Sequence, residues 1–373
     1  MTDLRIERVD TVLLDVPLRR PHRFARTSMA AQPVLLVFVR TAGGVTGVGE
    51  GVVPGGPWWG GESVETMRLV VERYLTPVLL GRRVDDLAGI QRDLGDVVAA
   101  NLYAKAAVEV ALHDAWARCL GVPVHTLLGG VARRSIPVTW ALGTEPAPVV
   151  VEEALGKLDA GLHRSFKLKM GALEPAEDVA RVCAIAEKLA GVAGVRVDLN
   201  ARWDLLTSLT YLPKLADAGV ELVEQPVPGP EVEALAEINR ALPIPVMVDE
   251  SLRTPGDALR LARLRAADVY ALKTTKSGGL RRTMAIAEIA AAAGIPCHGG
   301  TSIESPIGTA ASLQLACASP AVTWGSELFG PLLMSEQLLT TPLRYADGEL
   351  HLPDGPGLGV ELDPAAVKAF TRT

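Results

Sequence analysis

The chain has 373 residues, of which 49% are hydrophobic and 21% charged, and carries a net charge of -6. This is the balance of a folded globular protein, long enough for a large domain with a smaller companion, and it excludes a disordered chain. No basic run marks a nucleic-acid surface, and no 18 consecutive apolar residues mark a membrane span. The N-terminus, MTDLRIERVD, lacks the apolar centre of a signal peptide, so a cytoplasmic address is expected. Cys119, Cys183, Cys297 and Cys317 are scattered in apolar contexts without CxxC spacing, as expected of reduced thiols.

In chain order, Ile6 to Val16 and Val34 to Val48 read as strands and lead into a turn-rich stretch from Gly51 to Gly61. Helical patterning follows, with one helix opening at Glu62-Ser63-Val64-Glu65 and an alanine-rich one from Asn101 to Leu120. Residues 1–130 are therefore expected to form an α+β domain. From Ile136 the rhythm changes to short apolar strands alternating with amphipathic helices: IPVTWAL, SFKLKMG, VRVDLN, VELVEQP, IPVMVDES, DVYALKTT, IPCHGG and TWGSEL. The polar tips Lys167, Asp198, Glu224, Asp249, Lys273, His298 and Glu327 recur every 24 to 31 residues, the length of one βα unit. Eight strands with crossover helices predict a β/α barrel over residues 131–335. Residues 336–373 return to turn-rich sequence, expected to pack back on the first domain.

In such a barrel the C-terminal strand ends converge on one mouth. Any single polar tip is explained by solvation; seven in succession are not. Asp198, Glu224 and Asp249 put carboxylates on three adjacent strands, where they repel unless a cation stands among them. All-oxygen donors favour a hard ion, Mg²⁺ or Mn²⁺. Lys167 and Lys169 share one face of the second strand, and Lys273 ends the sixth, on the opposite wall. Two ammonium groups about 6 to 7 Å apart repel by roughly 2.5 kcal/mol at an effective dielectric near 20, which predicts one lysine with a lowered pKa.

The K-x-K of Lys167 and Lys169, the three carboxylate tips and the K-x-x-K-x-G-G from Lys273 to Gly279 resemble the enolase superfamily. The V-D-E-S at Val248, the G-G-T from Gly299 to Thr301 and the S-E-L-F-G-P at Ser326 resemble its muconate lactonizing subgroup, as do G-V-G-E at Gly47 and G-G-E-S at Gly60. That resemblance implies an α/β fold, a (β/α)7β barrel of the TIM type, with an α+β capping domain formed by the N-terminal region and the C-terminal tail. It implies metal ligation by Asp198, Glu224 and Asp249, supported by Asn200, Glu250 and Glu327. Lys169 would move a proton on one face of the substrate, Lys167 would tune it, and Lys273 would act from the other face. The loops His22 to Met29 and Val53 to Trp59 would cover a small-molecule dicarboxylate. Contacts to it are expected from His22, Pro54, Trp59, His298, Gly300, Thr301 and Phe329.

The activity implied is metal-dependent lactonisation of cis,cis-muconate to muconolactone through an enolate, by a homo-oligomer. Chloromuconate cycloisomerase, o-succinylbenzoate synthase and N-acylamino acid racemase use the same arrangement, and a metal-binding barrel without catalysis is the alternative of another class. The mandelate racemase branch of the superfamily pairs a histidine base on the seventh strand, where His298 lies, with an aspartate on the sixth, but here Lys273 ends the sixth strand and Asp268 begins it. Ser326-Glu327-Leu328 departs from the Asp-x-Asp of dipeptide epimerases.

Overall fold

The computed structural model describes residues 2–23 and 28–372. An antiparallel sheet runs Ile6–Arg23, Ser28–Thr41, Thr46–Gly51 in that order. Val34 to Val37 are all fully buried because both faces of this sheet are covered. Val34 and Leu36 pack into the barrel's core, whereas Leu35, Val37 and Val39 pack against cap helices through Met67, Val71 and Leu75. The run therefore lacks strict alternation, as a doubly covered strand should. Helix Leu102–Leu120 presses on the third strand so closely that a Cβ on Gly49 would stand 2.0 Å from the Ala107 carbonyl oxygen. The alanines of the helix and the glycines of G-V-G-E thus make one contact. The expected helix at Glu62 begins instead at Val64, where Ser63 accepts from the Thr66 N–H and caps it.

Eight parallel strands follow in sequential order, each paired with its neighbour. A bridge between Val138 and Ser326 joins the two ends of the sheet, with the Thr139 N–H donating to the Ser326 carbonyl at 2.7 Å. The α/β barrel with its α+β cap is the architecture expected, with one difference. IPVTWAL is not a single strand. Ser135–Pro137 pairs with the C-terminal hairpin Tyr345–Ala346 and Glu349–His351, and only Trp140–Leu142 pairs with the second barrel strand. Farther on, the C-terminal segment meets the cap: Arg372 pairs with Asp15, and Arg118 with Glu361 at 2.5 Å.

Two cap glutamates fix the cap to the barrel at helix N-termini. Glu109 accepts from the Leu280 N–H at 2.7 Å and the Arg281 N–H at 2.9 Å, at the start of helix Leu280–Ala292. Glu50 accepts from the Ser305 N–H, the Ser305 hydroxyl and the Gly308 N–H at the start of helix Pro306–Ala318. A carboxylate at this position satisfies orphan donors and complements the helix dipole. We expect Glu109→Ala to lower stability by about 2 kcal/mol, read as a lower urea midpoint with an unchanged slope.

Candidate active site

The barrel register sets the site. Lys169 lies opposite Asp198, and Asp198 opposite Glu224, at the ends of the second, third and fourth strands (Ser165–Lys169, Gly194–Asp198, Leu222–Glu224). Asp249 follows the fifth strand, Val246–Val248, and Lys273 the sixth, Val269–Leu272. Lys167 Nζ donates to Glu224 at 2.8 Å and Glu327 at 2.6 Å, and lies 3.3 Å from Asp198. Lys169 Nζ donates to Asp198 at 2.5 Å and to the Asn200 side-chain oxygen at 3.0 Å. Lys273 Nζ donates to Asp249 at 2.5 Å and lies 4.5 Å from the centre of the Trp59 ring, a cation–π contact.

Each carboxylate is thus turned onto an ammonium group, and among the described residues no three acidic, histidine or cysteine groups surround a common point. Within the protein alone these side chains meet as ion pairs. In a low-dielectric mouth opposite charges close on one another. The donor set nonetheless suits a hard divalent ion: Asp198, Glu224 and Asp249 are buried and offer only oxygen. Burial and the neighbouring Asp198 push the Glu224 carboxyl up to about 8, against the pull of Lys167. Burial alone would raise Asp249, but Lys273 and Lys276 hold it well below the usual carboxylate range.

The lowered pKa expected of one member of the Lys167–Lys169 pair does not fall on Lys167. Burial favours the neutral form of Lys167, yet Glu224, Glu327 and Asp198 outweigh it and hold its pKa well above the ordinary value. Lys273 is raised in the same way, Asp249 and Glu224 overcoming burial. Carboxylates in contact dominate the repulsion between lysines.

A pocket of ≈ 30 Å³ over the lysines is bounded by His22, Pro54, Trp59, Asn200, Thr301 and Phe329, among others. His22 is buried and kept neutral, its pKa lowered to about 3 by burial and by Lys169, Arg20 and Lys167. Of the expected loop from His22 to Met29, residues 24–27 lie outside the described residues. His298 and Gly300 do not line the pocket. His298 lies beneath it, Nε2 3.7 Å from Glu327 and Nδ1 3.0 Å from the Trp324 carbonyl, and burial lowers its pKa against the pull of Glu327. Gly300 backs Lys273: a Cβ there would stand 2.9 Å from both Cγ and Cε of the lysine. Glu250 stands beside Asn200, whose amide donates to it at 3.4 Å, and burial with Asp249 nearby pushes its carboxyl up to about 7.

Three residues of the site were not anticipated. Lys276, fully buried, donates to the Asp249 backbone carbonyl at 2.6 Å and also pairs with its carboxylate; the K-x-x-K spacing was its signal. Gln225, with φ 34, accepts through its side chain from the Asp249 N–H at 2.9 Å and the Ser251 N–H at 3.2 Å. That strained turn clamps the loop carrying Asp249. Arg196 lies buried under the site and donates to the Trp324 carbonyl at 3.1 Å.

Comparison with known proteins matches both halves of the chain. Residues 8–129 match the mandelate racemase / muconate lactonizing enzyme N-terminal domain, and residues 149–366 the enolase C-terminal domain-like family. The chain belongs to the enolase superfamily. Within that superfamily it is 66% identical over the full length of both chains to muconate cycloisomerase 1 of Rhodococcus opacus. It is 41% identical, over 99% of this chain and all of the other, to a chloromuconate cycloisomerase of Cupriavidus necator. A crystal structure of muconate lactonizing enzyme from Pseudomonas fluorescens complexed with muconolactone superposes with a TM-score of 0.97 at 39% identity, covering both chains fully. A 2-chloromuconate cycloisomerase from Rhodococcus opacus gives 0.96 at 43% identity, over 99% of this chain and all of that one. The chain is accordingly an enzyme of this superfamily. We expect Gly300→Ala to displace the Lys273 ammonium and lower kcat on the order of 10²-fold, with an unchanged circular dichroism spectrum.

Proposed function

We propose that this enzyme is a muconate cycloisomerase, interconverting cis,cis-muconate and muconolactone. One observation carries the reading: Lys169 and Lys273 face each other from the second and sixth of eight strands, across a floor of three buried carboxylates. Full-length identity of 66% to muconate cycloisomerase 1 and 41% to a chloromuconate cycloisomerase favours the unchlorinated acid. The synthase, racemase and non-catalytic readings have no comparable support.

Asp198, Glu224 and Asp249 would hold one divalent ion, Mg²⁺ or Mn²⁺. That ion, when bound, supplies positive charge beside the substrate carboxylate that becomes an enolate. One carboxylate oxygen of muconate adds to the distal double bond, whose electrons move onto the other carboxylate as the enolate. The α-carbon then takes a proton from an ammonium group, and the lactone is complete. Lys167 and Lys273 contribute fixed positive charge where negative charge grows.

Lys169 is assigned as the proton donor. Each turnover in the lactonising direction consumes one proton, so the donor must be recharged from solvent. The Lys169 side chain is 12% exposed, against 3% for Lys167 and 7% for Lys273. Asn200 and Asp198 hold its Nζ in place, and Glu327 holds that of Lys167. The four free cysteines support a cytoplasmic address, and exposed Val149 and Leu155 on one outer helix support assembly of several copies.

Loss of muconate absorbance should require Mg²⁺ or Mn²⁺ and stop with a chelator; loss at equal rate without metal would refute the assignment. Lys169→Met should lower kcat on the order of 10³-fold. In deuterium oxide, Lys273→Met should still exchange the α-proton of muconolactone whereas Lys169→Met should not, and the opposite pattern would make Lys273 the donor.

A further inference from the structure

Beside the lysine pocket lies a cleft of ≈ 550 Å³ that shares Trp58, Trp59 and Asn200 with it. The pocket itself, at ≈ 30 Å³, has room for about two water molecules. The cleft is the larger space directly across the Trp59 wall.

Most of the charges lining the cleft are engaged elsewhere, and among the described residues Arg253 is its one cation that is not. Arg260 pairs with Glu233 at 2.7 Å. The Asp257 carboxylate accepts from the Arg253 N–H, the Thr254 N–H and the Thr254 hydroxyl at 2.8 to 3.1 Å, closing the start of helix Pro255–Leu264. Glu250, at the inner end, takes the Asn200 amide through one carboxylate oxygen and leaves the other without a hydrogen-bond partner among the described residues. The guanidinium of Arg253, half-buried in the cleft wall, makes no hydrogen bond or ion pair among the described residues. A guanidinium free of protein partners can grip a carboxylate through two parallel hydrogen bonds.

Arg253 also sits on the loop that carries Asp249. Gln225 fixes that loop at one end and the Thr254–Asp257 capping box at the other, so the two residues keep a constant relation. We propose that this cleft is an antechamber for the dicarboxylate substrate and that Arg253 is the residue that captures one of its carboxylates before delivery to the lysines. The proposal rests on the dicarboxylate reading above. Substrate enters between the cap's Trp58–Trp59 segment and the loops after the third, fourth and fifth strands, and Trp59 leaves the Lys273 ammonium as it passes.

Two measurements test this. In steady state, Arg253→Gln should lower kcat/KM about tenfold, with the loss in KM, and flatten the fall of kcat/KM with rising salt; Arg253→Lys should recover part of both. A fall in kcat at unchanged KM would place Arg253 in the chemistry and overturn the antechamber. Calorimetric titration of adipate, a saturated six-carbon dicarboxylate, into metal-free protein should show about tenfold weaker binding to Arg253→Gln than to wild type. Equal binding, or none to wild type, overturns the proposal even if muconate is converted. Arg253-dependent adipate binding by an enzyme that leaves muconate untouched would remove the muconate reading and keep the antechamber.

Discussion

Everything at the mouth of this barrel depends on one constraint: five carboxylates and four ammonium groups share a small volume that water barely enters. Asp198, Glu224, Asp249, Glu250 and Glu327 interleave with Lys167, Lys169, Lys273 and Lys276. Burying charge is tolerable only where partners and hydrogen bonds replace the lost hydration. Parallel strands in register meet that condition, since each strand end delivers one or two rigidly held side chains to a single ring. The same density of charge makes the site responsive, because adding a divalent ion or a dicarboxylate must redistribute contacts among all nine groups.

The cap follows from this constraint. Without a cover the lysines would be hydrated and their charge screened, so the Trp58–Trp59 segment and His22 close the mouth from above. Holding that cover in place falls to Glu50 and Glu109, which reach from cap elements to helix N-termini of the barrel. Burial pushes the Glu50 carboxyl up to about 7, against the hydrogen bonds from Ser305 and Gly308. The cap sheet, covered on both faces, is part of one continuous core with the barrel and gives the lid segments a firm base.

Much of the fold was legible in the residue pattern. A polar tip recurring once per βα unit marks barrel strands whatever else the helices contain, and Asp198, Glu224 and Asp249 stood out because solvation does not place three acids on three consecutive strands. The first strand was misread as continuous since IPVTWAL has uniform strand character; only its partners, a C-terminal hairpin on one side and Ser326 on the other, divide it. Lys276 was hidden on a short helix after the sixth strand, where the period-two logic of strands does not apply. Gln225 escaped notice because its role comes from a left-handed backbone turn, which glutamine does not advertise.

The sequence by itself determined the barrel, its cap and the identity of the charged groups at the strand ends, because strand periodicity and chain connectivity leave few other arrangements. Which ammonium meets which carboxylate, and the direction in which each pKa moves, was decided by the tertiary structure. Repulsion between Lys167 and Lys169 is a property of neighbours on one strand, whereas the stronger attractions of Lys167 to Glu224 and Glu327 arise only when strands 57 and 160 residues away close the ring. The guanidinium of Arg253, without a hydrogen-bond or ion-pair partner among the described residues, belongs to the same class of fact: its environment exists only after the fold has formed.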